Sequence, residues 1–413
     1  MNMSIVKKKQ VIDFCFLLFI LVLPFELIFS PIAFGLLAFV FLVFGDKKNL
    51  FTVIKNHYLA SITTLLYAYY VIGMLINGSF DIAKIDAQFF LFVVPLLFVV
   101  LNLSIEQIQK AKIVYVWACI AFCLLALLTL GYSLAVNYEH RNDYNFIQTS
   151  MYHFHYPYDV LYINSGYIIL LFGMGFKRIK YLLATLFFTI IMLSGVRMGV
   201  GVFTLITLIY ILVNFKKLLN FKTLALMVFI VLLGFVLVKN SRYVNDKYFD
   251  TLNKIGFNTN EYVSDIGEEY HKVTLRQKLW SSACDALSQS PNLFFGYGAQ
   301  GSREPLNDIY TSRNYKIELM NSHNEYLTTL LNGGIFGLFI LISVFILSII
   351  ISIKSNSIDN LLIVVIIAIA FITESMLERQ KGAVFFAVFI TLIIIEGKLK
   401  LFNSTKTLEN QLE

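Results

Sequence analysis

Asn321-Ser322-His323-Asn324-Glu325-Tyr326-Leu327 holds the residues best suited to chemistry in this sequence. It stands where a long polar segment ends and an apolar run begins, shortly before Gly333-Gly334-Ile335-Phe336-Gly337. Ser322 and Glu325 have the S-x-x-E spacing of a capping box, in which serine caps a helical N–H and glutamate reaches back to the serine's own N–H. That spacing predicts His323 in the first turn of a helix. Anions are attracted there and a protonated imidazole is disfavoured. A neutral histidine beside an anion site suits moving a group off a phosphate. The bland alternative is an interfacial polar residue at a helix start.

Arg197 is the second candidate. It follows Leu193-Ser194-Gly195-Val196 and precedes Met198-Gly199-Val200-Gly201. Small residues let helices approach closely, so the spacing predicts a guanidinium in a packed polar recess. Guanidinium holds phosphate oxygens in pairs. A third group lies on the predicted helix 272–287. Leu275, Leu279, Ala283 and Leu287 recur there on one face, and Arg276 and Trp280 share the neighbouring stripe. Ser290-Pro291 ends that helix, and Phe295-Gly296-Tyr297-Gly298 reads as a turn allowing close backbone approach. The last candidates are in Glu374-Ser375-Met376-Leu377-Glu378-Arg379-Gln380-Lys381, where Glu378 and Arg379 are expected either to pair with the polar segment or to be solvated.

These residues need elements to hold them, and composition says which. The 413 residues are 58% hydrophobic and only 14% charged, whereas a soluble domain carries about a quarter charged residues. Apolar runs approach the roughly 20 residues a membrane helix needs. Twelve spans are read at 11–29, 31–45, 58–76, 87–103, 113–136, 160–176, 181–197, 199–214, 223–239, 325–352, 360–376 and 382–396. The expected fold is therefore an all-α polytopic membrane protein of about twelve helices with one long, partly helical outer loop. Residues 1–240 hold spans 1–9, residues 241–322 a cap, residues 323–400 spans 10–12, and residues 401–413 a cytoplasmic tail.

The net charge of +7 follows topology. With the N-terminus inside, the inner loops and tails hold 18 Lys and Arg against 5 in the short outer loops. Such a positive-inside bias orients the chain and leaves no case for nucleic acid. Residues 241–322 carry 9 Lys/Arg and 10 Asp/Glu, near neutrality. No Walker loop, G-x-G-x-x-G or C-x-x-C is present, and the four cysteines make no disulfide framework. His153 and His155 lie in an outer segment rich in tyrosine but have no acidic cluster nearby to complete a metal site. The tyrosines read as an interfacial belt or as a glycan-facing wall.

The S-H-N-E-Y-L…G-G-x-x-G stretch closing a long outer loop resembles the signature of the O-antigen ligase and polymerase superfamily. The S-G-x-R at 194–197 and the R-x-K-x-W…S-P…G-Y-G run at 276–298 agree with it. The resemblance implies a glycosyltransferase in the bacterial inner membrane, with both termini cytoplasmic and its active site facing the periplasm. It implies a glycan donor on undecaprenyl pyrophosphate and, for a ligase, a lipid A-core sugar hydroxyl as acceptor, with membrane lipids around it. It also implies an inverting reaction without metal or cofactor. Carried over by position, His323 matches the essential histidine, and Arg197 and Arg276 match the arginines that hold pyrophosphate. Asn324, Glu325, Trp280, Glu378 and Arg379 are candidate supporting residues. The sequence departs from the family at His155-Tyr156-Pro157-Tyr158, where a His-Pro-x-Tyr-like order is usual.

The chemistry is consistent with this. Pyrophosphate is a good leaving group, so the site needs charge compensation and a base of near-neutral pKa. His323 suits the base, or it orients the phosphates as a cation; Glu325 orients the imidazole or completes the cap. Repeat-unit polymerase and protein O-oligosaccharyltransferase remain alternatives within the superfamily. A twelve-span transporter is the reading from another class. It should carry ionisable groups deep in its spans and two related halves, and the sequence shows neither.

Overall fold

The computed structural model describes residues 5–26, 28–46, 50–78, 81–140, 144–153, 155–173, 175–215, 275–290 and 292–412. Every regular element among them is helical. The longer helices are α1 (Ile5–Val22), α2 (Phe29–Phe44), α3 (Ile62–Ile76), α4 (Phe90–Leu101), α5 (Ile105–Val136), α6 (Tyr156–Phe172), α7 (Lys180–Ser194), α8 (Arg197–Val213), α9 (Leu275–Ser288), α10 (Arg303–Ser312), α11 (Glu325–Lys354), α12 (Ile358–Thr373) and α13 (Gln380–Leu412). A helix covers most of each predicted span except 223–239, which lies outside the described residues, as do Arg141 and the cap residues 241–271. Among the described residues four stretches are long and apolar enough to cross a membrane: Tyr58–Ile76, Ile105–Val136, Glu325–Lys354 and Gln380–Asn403. Five shorter apolar helices accompany them. The chain is a multi-pass membrane protein.

Local chemistry sets several helix ends. α1 stops at Val22, two residues before Pro24. Pro157 sits in the first turn of α6, where its missing N–H has no helical partner to lose. α4 ends at Asn102 and α7 at Gly195, both left-handed (φ 49° and 65°), the conformation that commonly closes a helix.

The chain divides into two units. The first comprises residues 1–20, 27–111 and 269–413. In it α13 packs against α4 and α11, α11 against α3 and α12, and α9 against α10 and α11. Ala383 to Ile395 of α13 are buried all round, as expected of a helix apolar on every face. α9 and α10 share a small core of Leu279, Ala283, Ala286, Leu306, Ile309 and Tyr310, which meets Leu331 of α11. The helix predicted at 272–287 is therefore present from Leu275, although Leu275 itself is exposed. Burial pushes the Tyr310 phenol above its usual range, so it stays neutral in that core.

The second unit comprises residues 21–26 and 112–268. Here α6 packs on α7 and α8. A Cβ on Gly199 would come within 2.0 Å of Val160 Cγ1, so the missing side chain lets α8 meet α6. The Asn164 amide crosses that contact to donate to Gly199 O at 3.2 Å.

Candidate active site

The site forms where the polar segment enters α11. His323 is not in the first helical turn, which corrects the capping-box reading. Asn324 is the N-cap, with extended backbone (φ −152°, ψ 113°), and its side chain accepts from Leu327 N–H at 3.2 Å. Asparagine is among the best caps, and its use releases Ser322 and Glu325. The Ser322 hydroxyl instead donates to Asn324 O at 2.8 Å and meets Thr328 Oγ1 at 2.7 Å. Glu325 neither completes a cap nor touches the imidazole. It is 1% exposed and accepts from Leu377 N–H at 2.7 Å and from the Thr329 hydroxyl at 3.0 Å.

His323 precedes the cap in a left-handed conformation, φ 46°. Non-glycine residues seldom adopt it, although histidine does so more readily than most. Its N–H donates to Asn321 Oδ1 at 3.0 Å, an Asx-type turn that supports the conformation. Its Nδ1 lies 3.2 Å from Glu374 Oε2. The side chain of His323 is 34% exposed, that of Glu374 10%. Sequence reasoning missed Glu374. The signal was present in the density of ionisable residues at 374–381, but Glu378 and Arg379 were chosen from it.

Glu378 does pair with the cap. It is 4% exposed, and its carboxylate accepts from Arg303 (3.2 Å), Asn321 (2.8 Å) and Asn332 (3.2 Å). One carboxylate thus joins α10, the loop before His323 and α11. Arg379 next to it is exposed. The hairpin is also held through Ser375, whose Oγ accepts from Asn324 N–H at 3.2 Å and meets Thr328 Oγ1 at 2.7 Å.

Arg276 is exposed on α9 and donates to Thr373 O at 3.5 Å. Thr373 adjoins Glu374, so the structure brings Arg276 to the hairpin that carries the histidine's partner. Trp280 packs on the cap core, and its buried indole N–H has no hydrogen-bond partner among the described residues. Arg197 belongs to the second unit, where it opens α8 and is exposed. Gly199, two residues on, packs against Val160 of α6.

The cap docks through backbone. α11 breaks at Gly334 (φ 61°, ψ −165°). In an unbroken helix Ile335 N–H would bond Leu331 O. Here it donates to Leu293 O at 3.0 Å, and Leu331 O accepts from Tyr297 N–H at 2.8 Å. Gly298 N–H donates to Asn332 O at 2.9 Å. The Phe295-Gly296-Tyr297-Gly298 turn therefore inserts its main chain into the helix break. A Cβ on Gly296 would lie 2.2 Å from Leu331 O, and one on Gly334 2.2 Å from Phe294 O. Irregular backbone within a membrane-length helix is tolerated when it is buried against protein.

Among the described residues no group of three or more His, Cys, Asp and Glu is placed to hold a metal ion. The arrangement offers a half-exposed imidazole hydrogen-bonded to a carboxylate, with an arginine nearby. A search of curated proteins found no match. Residues 182–342 match the family model described as O-antigen ligase, a stretch that holds Arg197, Arg276 and His323 and ends before Glu374. Over that stretch the chain is similar to the O-antigen ligase family.

Proposed function

We propose that this chain transfers a glycan from undecaprenyl pyrophosphate to a sugar hydroxyl of lipid A-core, at the periplasmic face of the bacterial inner membrane. The observation that carries this reading is His323. It is a half-exposed imidazole on a rigid turn at the mouth of a membrane-length helix, inside the segment that matches the ligase family. The acceptor oxygen attacks the anomeric carbon, and the bond from that carbon to the pyrophosphate oxygen breaks with its electron pair. The hydroxyl proton passes to His323 and then to water. One displacement inverts the anomeric centre.

Arg276 and Arg197 are assigned to the pyrophosphate. Charge on the leaving oxygens is compensated by guanidinium donors, which bind such oxygens in pairs, and no metal is required in this scheme. Asn324, Glu325 and Glu378 hold the frame. Trp280 is assigned to the cap core and Arg379 to its exposed rim.

The test is a null strain complemented with the wild-type chain, with lipid-linked and lipid A-core-linked glycans separated and sized. A ligase leaves long polymer on the carrier and bare core in the null strain, and complementation moves the polymer to core. Single repeat units on carrier and core in the null strain would make the chain a polymerase and overturn the assignment of lipid A-core as acceptor.

A further inference from the structure

We propose that Glu374 is a positioning residue for His323: its carboxylate holds the imidazole as the Nδ1–H tautomer and leaves Nε2 to the acceptor hydroxyl. This rests on the reading of His323 as the base. Nδ1 and Glu374 Oε2 are 3.2 Å apart, within range for a ring N–H donating to a carboxylate. A carboxylate bound to one ring nitrogen selects the tautomer and leaves the other nitrogen as the acceptor. The exposures fit, because the carboxylate is buried while a third of the imidazole is open.

The same hairpin also grips the histidine's main chain. Glu378 accepts from Asn321 Nδ2 at 2.8 Å, and Asn321 Oδ1 accepts from His323 N–H at 3.0 Å. The left-handed turn and the ring are thus fixed from one segment, by carboxylates four residues apart. The hairpin is itself anchored, through Leu377 N–H on Glu325 and Ser375 against Asn324 and Thr328. Among the described residues, the charged groups on the segments that hold this turn include Glu374 and Glu378 from the hairpin, Glu325 from α11, Arg303 on Glu378 from α10, and Arg276 on Thr373 from α9. Glu374 is the one of these whose carboxylate bonds the ring. It lies beyond residues 182–342, so the functional site extends past the segment that matches the family.

The experiment uses the purified full chain, lipid-linked glycan extracted from cells lacking it, and lipid A-core from the same cells. Wild type, Glu374→Gln, Glu374→Asp and His323→Ala are compared for kcat and donor KM across pH. Glutamine can turn its amide toward Nδ1 and stabilise the wrong tautomer, the mechanism by which asparagine for aspartate disables a serine-protease triad. Glu374→Gln is expected to lower kcat by about 10- to 1,000-fold, less than in that triad, with donor KM nearly unchanged. Glu374→Asp should recover part of kcat. Wild-type kcat in Glu374→Gln, while His323→Ala is inactive, would overturn this inference alone. So would a loss confined to the yield of folded protein. An active His323→Ala would instead overturn the base assignment on which it rests.

Discussion

Gly334→Ala should detach the cap from α11. Gly334 has φ 61° and ψ −165°, a region open essentially to glycine. Forcing alanine into it costs about 1–3 kcal/mol. The new Cβ would lie 2.2 Å from Phe294 O and 2.3 Å from Phe294 C. Both are main-chain atoms, so no rotamer change relieves the clash and the 293–298 turn must withdraw. That breaks the Tyr297–Leu331, Gly298–Asn332 and Ile335–Leu293 hydrogen bonds, each contributing about 0.5–1.5 kcal/mol. The total loss is roughly 3–7 kcal/mol, comparable to the net stability of many domains. The readouts are limited proteolysis of residues 275–322 and thermal unfolding of the detergent-solubilised chain. Gly337→Ala is the control, since its Cβ would meet Thr329 O at an ordinary 3.5 Å and alanine in a helix should leave stability unchanged or raise it by up to about 1 kcal/mol. If Gly334→Ala resists protease and melts like wild type, the backbone seam does not hold the cap.

Other consequences follow from single groups. Arg197→Lys should be nearly as inactive as Arg197→Ala in complementation, because a point charge cannot replace a bidentate fork; near-normal glycan in the lysine variant would count against a pyrophosphate clamp. Removing the Glu378 carboxylate as Glu378→Ala leaves Arg303, Asn321 and Asn332 without their shared acceptor, and should destabilise the chain by about 1–3 kcal/mol in thermal unfolding, since the Arg303 side chain is 40% exposed and can be solvated. EDTA should leave transfer by the purified chain intact. Loss of activity restored by a divalent cation would replace the arginines as the source of charge compensation.

Much of the helical scaffold was legible because apolar run length is a property of composition. The cap helix was legible because Leu279 and Ala283 repeat at helical spacing. The start of α11 was misread. Ser322 and Glu325 fit a capping box as well as Asn324 fits a cap, and the choice is made by a tertiary partner, Leu377 N–H, which takes the Glu325 carboxylate. The same limit hid Glu374, which lies 51 residues from His323 in the chain. Spacing rules report neighbours within a helix, whereas this pair forms only when the α12–α13 hairpin packs over the entry to α11. The glycines at 296 and 334 were visible as turn and packing residues, but the exchange of hydrogen bonds between them was not, since nothing local links Leu293 and Tyr297 to Leu331 and Ile335. Gly199 was legible as a small residue for close helix approach, but not that its partner would be Val160 of α6.

The central claim is that His323 takes the acceptor's proton. It is tested most directly by single-turnover transfer with purified wild-type chain and His323→Ala, using donor extracted from cells lacking the chain and lipid A-core as acceptor. Donor binding is measured in parallel. A lost general base should slow transfer by about 100- to 10,000-fold and leave donor affinity within a few fold. Transfer at the wild-type rate would contradict the claim. Slow transfer accompanied by an equal loss of donor affinity would contradict it too, and would make His323 a phosphate ligand.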